Sequence, residues 1–242
     1  MMMKDRSGLR FHHMGVPTKE KRRGEIYVAK QKRGYVPGTN NPYGIQWERF
    51  DDDSQFPDVV KQRPHSAFEV DDMARYLDGE EVLVEPYADA PGVTSAFISV
   101  VGAPVKLMQI DHELAGAEAV NPVTNGGRNL RYHHTGMPGY ETWEGEVKVP
   151  HLKLAYLPGK LNTYGMEWLR FEEGNANPDI IKYLPHIAFE VDDIDAAVVG
   201  EKVIYHSGRE APGIVVAMIE VDDVSIEFLE LDRSIVGDQY DG

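Results

Sequence analysis

The second half of the chain repeats the first at a constant offset of 121 residues, without a gap. The repeat is clearest in three segments: residues 12–15 return as 133–136, residues 43–47 as 164–168, and residues 64–72 as 185–193. This duplication restricts the fold, because one backbone must suit both copies. It also provides an internal comparison, since a position that differs between the copies marks a place where the chemistry has diverged.

The repeat predicts two domains. A chain of 242 residues can hold one large domain or two small ones, and each copy is long enough for its own core. We expect the first domain at residues 1–115 and the second at 128–242. The segment from His112 to Arg128 between them is rich in Ala, Gly and Asn, as linkers are. Two copies are too few for a solenoid, which needs three or more.

Composition excludes several classes of function. With 40 acidic and 25 basic residues the formal charge is −15, which argues against a nucleic-acid partner. The absence of cysteine excludes disulfides, thiolate catalysis and zinc–thiolate sites. No apolar run has the length of a membrane span, and Met1 to Arg10 lacks the apolar core of a signal peptide. We therefore expect a soluble, cytoplasmic protein that does not bind a membrane.

Short β-type runs dominate each copy, and turn signals such as Pro158-Gly159 and Pro212-Gly213 separate them. Two short helices fit between the strands, one beginning at Asn177-Pro178 and one capped by Asp192-Asp193 and ending at Gly200. The second part of each copy reads as a strand, a helix and three strands, whereas a loop replaces the helix in the first part. This pattern predicts an α+β fold with a mainly antiparallel sheet. The strands expected in the second copy are Leu130–Gly136, Val147–Leu157, Tyr164–Phe171, His186–Val191, Lys202–His206, Ile214–Val221 and Val224–Leu231.

Two strands of the second copy have one apolar face and one mixed face. Side chains alternate along a strand, so Ile187, Phe189 and Val191 share one face while His186 and Glu190 lie on the other. The last strand repeats the pattern, with Val224, Ile226 and Phe228 opposite Ser225, Glu227 and Leu229. The apolar faces suit packing under a helix, and the mixed faces suit the lining of a cleft.

These residues resemble a known superfamily. The motif Pro-His-Ile-Ala-Phe-Glu-Val-Asp-Asp-Ile-Asp-Ala-Ala at 185–197, followed by residues 212–213, 217–219 and 226–230, is similar to that of vicinal oxygen chelate proteins. They include glyoxalase I, methylmalonyl-CoA epimerase, extradiol dioxygenases and bleomycin-resistance proteins. The resemblance is most specific to the glyoxalase/epimerase type and covers nearly all of both copies. It implies two tandem glyoxalase-like domains, each of paired βαβββ-type modules with a shortened first module, around a cleft.

The resemblance also implies a metal site, to which each module gives one His from its first strand and one carboxylate or Gln from its last. In the second copy the matching residues are His134, Glu167, His186 and Glu227. Two imidazoles and two carboxylates suit one divalent ion of Mn, Fe, Co, Ni or Zn, and the sequence does not choose among these.

The first copy matches the same positions less well, with His13, Gln46, His65 and Lys106. A lysine ammonium has no lone pair for a metal and repels it. We therefore expect a degenerate first site, unless the strand turns so that Lys106 is an ordinary surface residue. We favour pairing of modules within a copy, because short connections usually join neighbours. Exchanged modules would instead join His13 and Gln46 to His186 and Glu227.

The function that the resemblance implies is that of a metal-dependent isomerase or lyase. It would act on a small carbonyl or hydroxy compound through an enediolate, with Glu227, Glu167 or Glu190 moving the proton. Glu190 enters because it shares a strand face with His186. One alternative is an Fe(II) extradiol-type dioxygenase, a class that often keeps a metal-free amino-terminal half. Another is a non-catalytic small-molecule binding or resistance protein. The sequence leaves open the substrate, the metal and whether the chain forms a homodimer.

Overall fold

The computed structural model describes residues 4–116, 120–125, 127–209 and 212–237. The chain divides into two compact units, one of residues 4–128 and one that begins at residue 129. Part of the segment expected to be a linker belongs to the first unit. The Asn121 side chain donates a hydrogen bond to the Phe11 carbonyl oxygen at 2.7 Å, and the Arg128 guanidinium donates one to the Tyr43 hydroxyl at 2.7 Å. The boundary between the two units therefore lies between residues 128 and 129, after the segment that makes these contacts.

The first unit is one eight-stranded mixed sheet with three short helices. Its strands are ordered β2-β3-β4-β1-β5-β8-β7-β6, where β1 runs parallel to β4, β5 runs parallel to β8, and β1 and β5 pair in antiparallel fashion. Its elements are β1 (Leu9–Pro17), β2 (Ile26–Val28), β3 (Arg33–Val36), β4 (Ile45–Phe50), α1 (Asp58–Gln62), β5 (His65–Val70), α2 (Met73–Leu77), β6 (Glu81–Ala90), β7 (Val93–Val100), β8 (Ala103–Ile110) and α3 (Pro122–Asn125).

The second unit repeats this sheet. Its strand order is β10-β11-β12-β9-β13-β16-β15-β14, with the parallel pairs β9–β12 and β13–β16 and the antiparallel pair β9–β13 at the centre. Its elements are β9 (Arg131–Pro138), β10 (Val147–Val149), β11 (Leu154–Leu157), β12 (Met166–Phe171), α4 (Asp179–Tyr183), β13 (His186–Glu190), α5 (Ile194–Ala197), β14 (Val203–His206), β15 (Ile214–Val221), β16 (Val224–Leu231) and α6 (Arg233–Val236).

Each sheet consists of two four-stranded modules that meet along their first strands. All eight strands of a sheet come from one copy, so the prediction that modules pair within a copy is confirmed. In both first modules the connection after the first strand is a loop, as predicted, whereas α2 and α5 fill that position in the second modules. The predicted architecture of two tandem domains with a shortened first module is confirmed.

One predicted strand, Val147–Leu157, is divided in two. Pro150 begins a 3₁₀ turn over Pro150–Leu152, and Lys153 then adopts a left-handed conformation with φ of +48°. This breaks the run into β10 and β11, because a strand cannot continue through such a turn. The predicted helix cap is present, since the Asp193 side chain accepts a hydrogen bond from the Ala196 amide at 3.0 Å.

The apolar strand faces form the core as predicted. Ile187, Phe189, Ile226 and Phe228 are fully buried, and the α5 residue Ile194 is buried with them. Burying each such side chain contributes about 1.5–3 kcal/mol. This fixes the register, since a shift by one residue would exchange the two faces of a strand. The opposite face of the four central strands is therefore free to carry polar groups. None of the helices in the described part of the chain is long and apolar enough to cross a membrane.

Candidate metal centre

The four residues predicted as ligands in the second domain lie on one face of four adjacent strands. These strands are β12, β9, β13 and β16, and each supplies one residue. In the register of the sheet, Ala188 lies between His134 and Glu227, and Gly136 lies between Glu167 and His186. The two central positions are therefore occupied by the smallest side chains. A Cβ on Gly136 would lie 2.1 Å from Cε1 of His186, so only glycine lets this imidazole fold over β9.

The side chains converge on a common point. The Nε2 atoms of His134 and His186 are 3.3 Å apart. The Oε2 atom of Glu227 is 3.0 Å from the His186 Nε2 and 3.3 Å from the His134 Nε2. The Oε1 atom of Glu167 is 3.6 Å from the His134 Nε2. Ligand atoms about 2.0–2.2 Å from a metal ion lie about 3 Å from one another, so these residues fit a divalent ion.

His134, His186 and Glu227 form the tight part of this cluster, since their ligand atoms all lie within 4.8 Å of one another. Solvent reaches the cluster along the carboxylates, because the side chains of Glu167 and Glu227 are about 15% and 14% exposed whereas both histidines are nearly buried. A metal held by three protein ligands keeps positions for water or substrate. The exposed edge of the cluster gives such a ligand its approach.

Electrostatics in the cluster favour a shared proton when no metal is bound. Burial lowers the pKa of His134, but the carboxylates of Glu167 and Glu227 outweigh burial and raise that pKa to about 9. Burial alone would raise the pKa of Glu227, yet hydrogen bonds from the two histidines hold it well below its ordinary value. Burial raises the pKa of Glu167 despite the opposing charge of His134, and the charge of Glu227 adds to the effect.

Metal binding is therefore expected to release a proton. Nε2 of His134 must give up its proton to bind a metal, and with a pKa of about 9 it carries that proton at pH 7. We expect about one proton released per ion and an affinity that rises up to about tenfold per pH unit until the pH nears 9. Titration calorimetry in buffers of different ionisation enthalpy measures both. An affinity that does not change between pH 6 and 8 would contradict the proton position.

A second histidine orients the first. The Nδ1 atom of His133 lies 2.8 Å from Nδ1 of His134. When Nε2 of His134 faces the cluster, its Nδ1–H donates to His133, as outer partners of metal-binding histidines commonly accept. The first domain has the same contact between His12 and His13, also at 2.8 Å. The pair is thus a feature of the fold that sets the ring orientation in both domains.

The structure does not bring Glu190 to the cluster. It shares the strand face of His186, but four residues along a strand correspond to about 13 Å. Its carboxylate forms ion pairs with Arg131 at 3.4 Å and with Arg233. Alternation along a strand identified the face correctly, whereas it says nothing about position along that face.

In the first domain the four corresponding residues also lie on one face, but Lys106 changes the site. Its side chain is only 2% exposed, and its Nζ forms an ion pair with Asp89 at 2.7 Å. The alternative that Lys106 is a surface residue is therefore wrong. His13 and Gln46 remain in contact, with Nε2 atoms 3.3 Å apart. The position of the second carboxylate ligand is thus occupied by a buried cation.

Three further buried charges surround Lys106, and the sequence prediction missed them. Arg33 forms ion pairs with Glu48 at 3.1 Å and with Asp89 at 3.0 Å. Gln46 donates a hydrogen bond to Glu48 at 2.7 Å. The signal was present, since the second copy has Leu154 and Leu169 where the first has Arg33 and Glu48. A complementary pair of charges that appears in one copy only indicates a direct contact.

His13, Glu48 and His65 also have ligand atoms within 4.8 Å of one another, but their surroundings disfavour a dication. Arg33 and Lys106 offset the charges of Glu48 and Asp89, so the centre has no excess negative charge. Burial lowers the pKa of His65 to about 4, and Lys106 adds to this against the charge of Glu48. The second domain, by contrast, presents two carboxylates to one cluster.

Comparison with known proteins identifies the fold. No protein-family model matches the chain, and a search of curated proteins finds no relative. Among solved structures, a mutant of 4-hydroxymandelate synthase from Streptomyces coelicolor matches with a TM-score of 0.51 at 12% identity, covering 93% of each chain.

Two shorter structures give a TM-score of only 0.21. Methylmalonyl-CoA epimerase from Mycobacterium tuberculosis is 16% identical over 71% of this chain and 88% of its own, and a hypothetical protein from Bacillus halodurans is 14% identical over 69% and 92%. The first structure, which matches over 93% of this chain, and the paired-module sheets therefore identify the fold. The chain has the fold of the vicinal oxygen chelate superfamily, in a tandem two-domain arrangement.

Proposed function

We propose that the second domain is a divalent-metal-dependent enzyme of the glyoxalase/epimerase type. Its substrate would be a small carbonyl or hydroxy compound with two adjacent oxygen atoms. The observation that carries the proposal is the convergence of His134, His186 and Glu227, with Glu167 at the edge of the cluster. The first domain would serve as a metal-free partner of the same fold.

The roles of the two carboxylates follow from their surroundings. A divalent ion held by His134, His186 and Glu227 would polarise a substrate carbonyl and stabilise negative charge that develops beside it. Glu227 has a lowered pKa and accepts hydrogen bonds from both histidines, which suits a ligand. Glu167 has a raised pKa, which brings it closer to the range in which a carboxylate can take up and return a proton near neutrality. Glu167 is therefore the proposed base, and it would remove a proton from the carbon next to the carbonyl.

The Glu167→Gln variant tests this role. Gln keeps the size of the side chain but cannot accept the proton as a base. We expect exchange of a carbon-bound substrate proton with deuterated solvent to slow by about 10²-fold or more, with the metal stoichiometry unchanged. Nuclear magnetic resonance of small α-hydroxycarbonyl compounds measures the exchange.

Glu190→Gln is the matched control, because Glu190 lies on the same sheet but is held in ion pairs away from the cluster. It should exchange the substrate proton at the rate of the unmodified protein. Unchanged exchange in Glu167→Gln, with metal retained, would move the role of base to Glu227.

A second candidate is an Fe(II)-dependent oxygenase. Two histidines and one carboxylate with open positions are the ligand set of many non-haem Fe(II) oxygenases, and the tight part of the cluster has that composition. The solved structure of the 4-hydroxymandelate synthase mutant matches this chain over 93% of the length of each. Oxygen uptake by the Fe(II)-loaded protein with a catechol, together with no proton exchange on hydroxycarbonyl compounds, would favour this candidate over the first.

A further inference from the structure

The walls around the cluster of the second domain are apolar. Leu169 lies two residues beyond Glu167 on β12, and Leu229 lies two residues beyond Glu227 on β16, so each shares the face of its glutamate. Met218 is the partner of Glu227 across β15, and Val216 is the partner of Leu229. Leu169, Met218 and Leu229 are buried, with 8%, 5% and 7% of their surface exposed. A ligand bound at the cluster would therefore have aliphatic neighbours on the same face of the sheet, beside Glu167 and beside Glu227.

The first domain has a different wall at the same positions. Arg33 replaces Leu154, Glu48 replaces Leu169 and Ser95 replaces Val216. These polar residues are buried in the first domain and bonded to one another or to Asp89. This sheet architecture can therefore hold a guanidinium beside the centre, as Arg33 shows in the first domain. The second domain has the aliphatic side chain of Leu154 at that position.

Among the described residues of the second domain, no Lys or Arg lies next to the cluster in the sheet. The positions two residues before and after each of the four cluster residues contain neither Lys nor Arg, and neither do their partners on β15. The arginines of this domain form ion pairs with carboxylates elsewhere, and these are Arg131, Arg170, Arg209 and Arg233. The cluster itself contributes two carboxylates. With a divalent ion bound, the ion and the two carboxylates balance one another, so a phosphate or carboxylate group on the ligand would find no further cation beside the cluster in the sheet.

We infer that the ligand of the second domain is a small uncharged compound, with two adjacent oxygen atoms for the metal and an alkyl or aryl group against the apolar wall. This inference rests on the proposed function, because the metal provides the anchor for the oxygen atoms. It excludes phosphorylated compounds, coenzyme A thioesters and dicarboxylates as the preferred ligands. The apolar group would gain affinity from the area that it removes from water.

Two catechols of similar size test the inference, since both chelate a metal through adjacent oxygens and differ in one substituent. We expect Co²⁺-loaded protein to bind 4-methylcatechol about tenfold or more tightly than 3,4-dihydroxybenzoate, measured by titration calorimetry at constant ionic strength. The Leu154→Arg variant should narrow or reverse this preference, because it places a guanidinium where the first domain has Arg33. Val199→Arg is the matched control, because Val199 is 75% exposed just after α5, and it should leave the preference unchanged.

The outcomes separate the two proposals. If 3,4-dihydroxybenzoate bound as tightly as 4-methylcatechol or more tightly, the inference about the ligand would be wrong, although the metal site would stand. The same conclusion would follow if neither catechol bound the Co²⁺-loaded protein. If 3,4-dihydroxybenzoate bound more tightly, the first residue to test as the cause would be Lys160. It lies next to Gly159, whose amide donates a hydrogen bond to Glu167. Loss of the preference for 3,4-dihydroxybenzoate in Lys160→Met would show that this lysine, beside the cluster, selects charged ligands. Failure of Co²⁺ to bind at all would overturn the proposed function and this inference together.

Discussion

The His134→Ala variant is expected to lose metal binding, whereas His13→Ala is expected to keep it. The two histidines occupy the same position in the two copies, and each contacts a neighbouring histidine through Nδ1 at 2.8 Å. Only His134 faces carboxylates that are not neutralised by Arg or Lys. Loss of an outer partner of a metal ligand commonly costs 10- to 100-fold in affinity, so loss of a ligand should cost more than about 100-fold.

Elemental analysis of protein loaded with Mn²⁺, Co²⁺ or Zn²⁺ measures this result, with about one ion per chain expected before substitution and in His13→Ala. Both variants remove one buried imidazole, so they are matched in their effect on packing. Two tightly bound ions per chain, of which His13→Ala removes one, would show that the first centre also holds a metal despite Arg33 and Lys106. Loss of the ion in His13→Ala alone would place the site in the first domain.

Much of this site could be predicted from the sequence because local pattern determines it. Alternation along the strands gave the faces of His186 and Glu227, and the core residues Phe189 and Phe228 confirmed that register. The resemblance to a superfamily then joined His134 and Glu167 to them, and the structure brings all four together. The two-residue repeat fixes the face on which a side chain lies, and the resemblance supplied which strands are neighbours.

The remaining features could not be predicted because they depend on contacts between distant strands. Asp89 lies near the end of β6, a strand with three register shifts against β7, so alternation does not show which way its side chain points. It nevertheless bonds to both Arg33 and Lys106. For Glu190 the face was predicted correctly, but its position along the strand was not. It lies at the strand end, where it forms ion pairs with Arg131 and Arg233. The distance between side chains is a property of the folded sheet.

The charge network of the first domain leads to the second large expected effect. Arg33→Leu is expected to destabilise the first domain by about 3–5 kcal/mol, because it leaves Glu48 buried without its cation. Glu48 is fully buried, its Oε2 atom has no hydrogen-bond partner among the described residues, and Gln46 would remain as the donor to Oε1. Asp89 would keep its ion pair with Lys106. The unpaired charge on Glu48 therefore accounts for most of the loss.

The double variant Arg33→Leu/Glu48→Leu separates the charge from the packing. It gives the first domain two leucines at the positions where the second domain has Leu154 and Leu169. The sheet of the second domain accommodates that pair on its adjacent strands β11 and β12. We expect the double variant to be more stable than Arg33→Leu by about 2 kcal/mol or more, since replacing a buried ion pair with apolar residues of similar volume is often neutral or stabilising.

Hydrogen exchange of the β3 and β4 amides reports on the first domain even if the two domains unfold separately. Arg10→Leu is the surface control in the same domain, and its partly exposed ion pairs should be worth about 1 kcal/mol or less. If the double variant were less stable than Arg33→Leu, the network would stabilise the domain through contacts other than the Arg33–Glu48 pair. A first domain that tolerates the two leucines would show that its fold does not require these charges. The charges of Arg33 and Glu48 would then matter for binding and not for folding, because the Arg33 cation offsets Glu48 and helps to keep a divalent ion away from the two neutral histidines, His13 and His65.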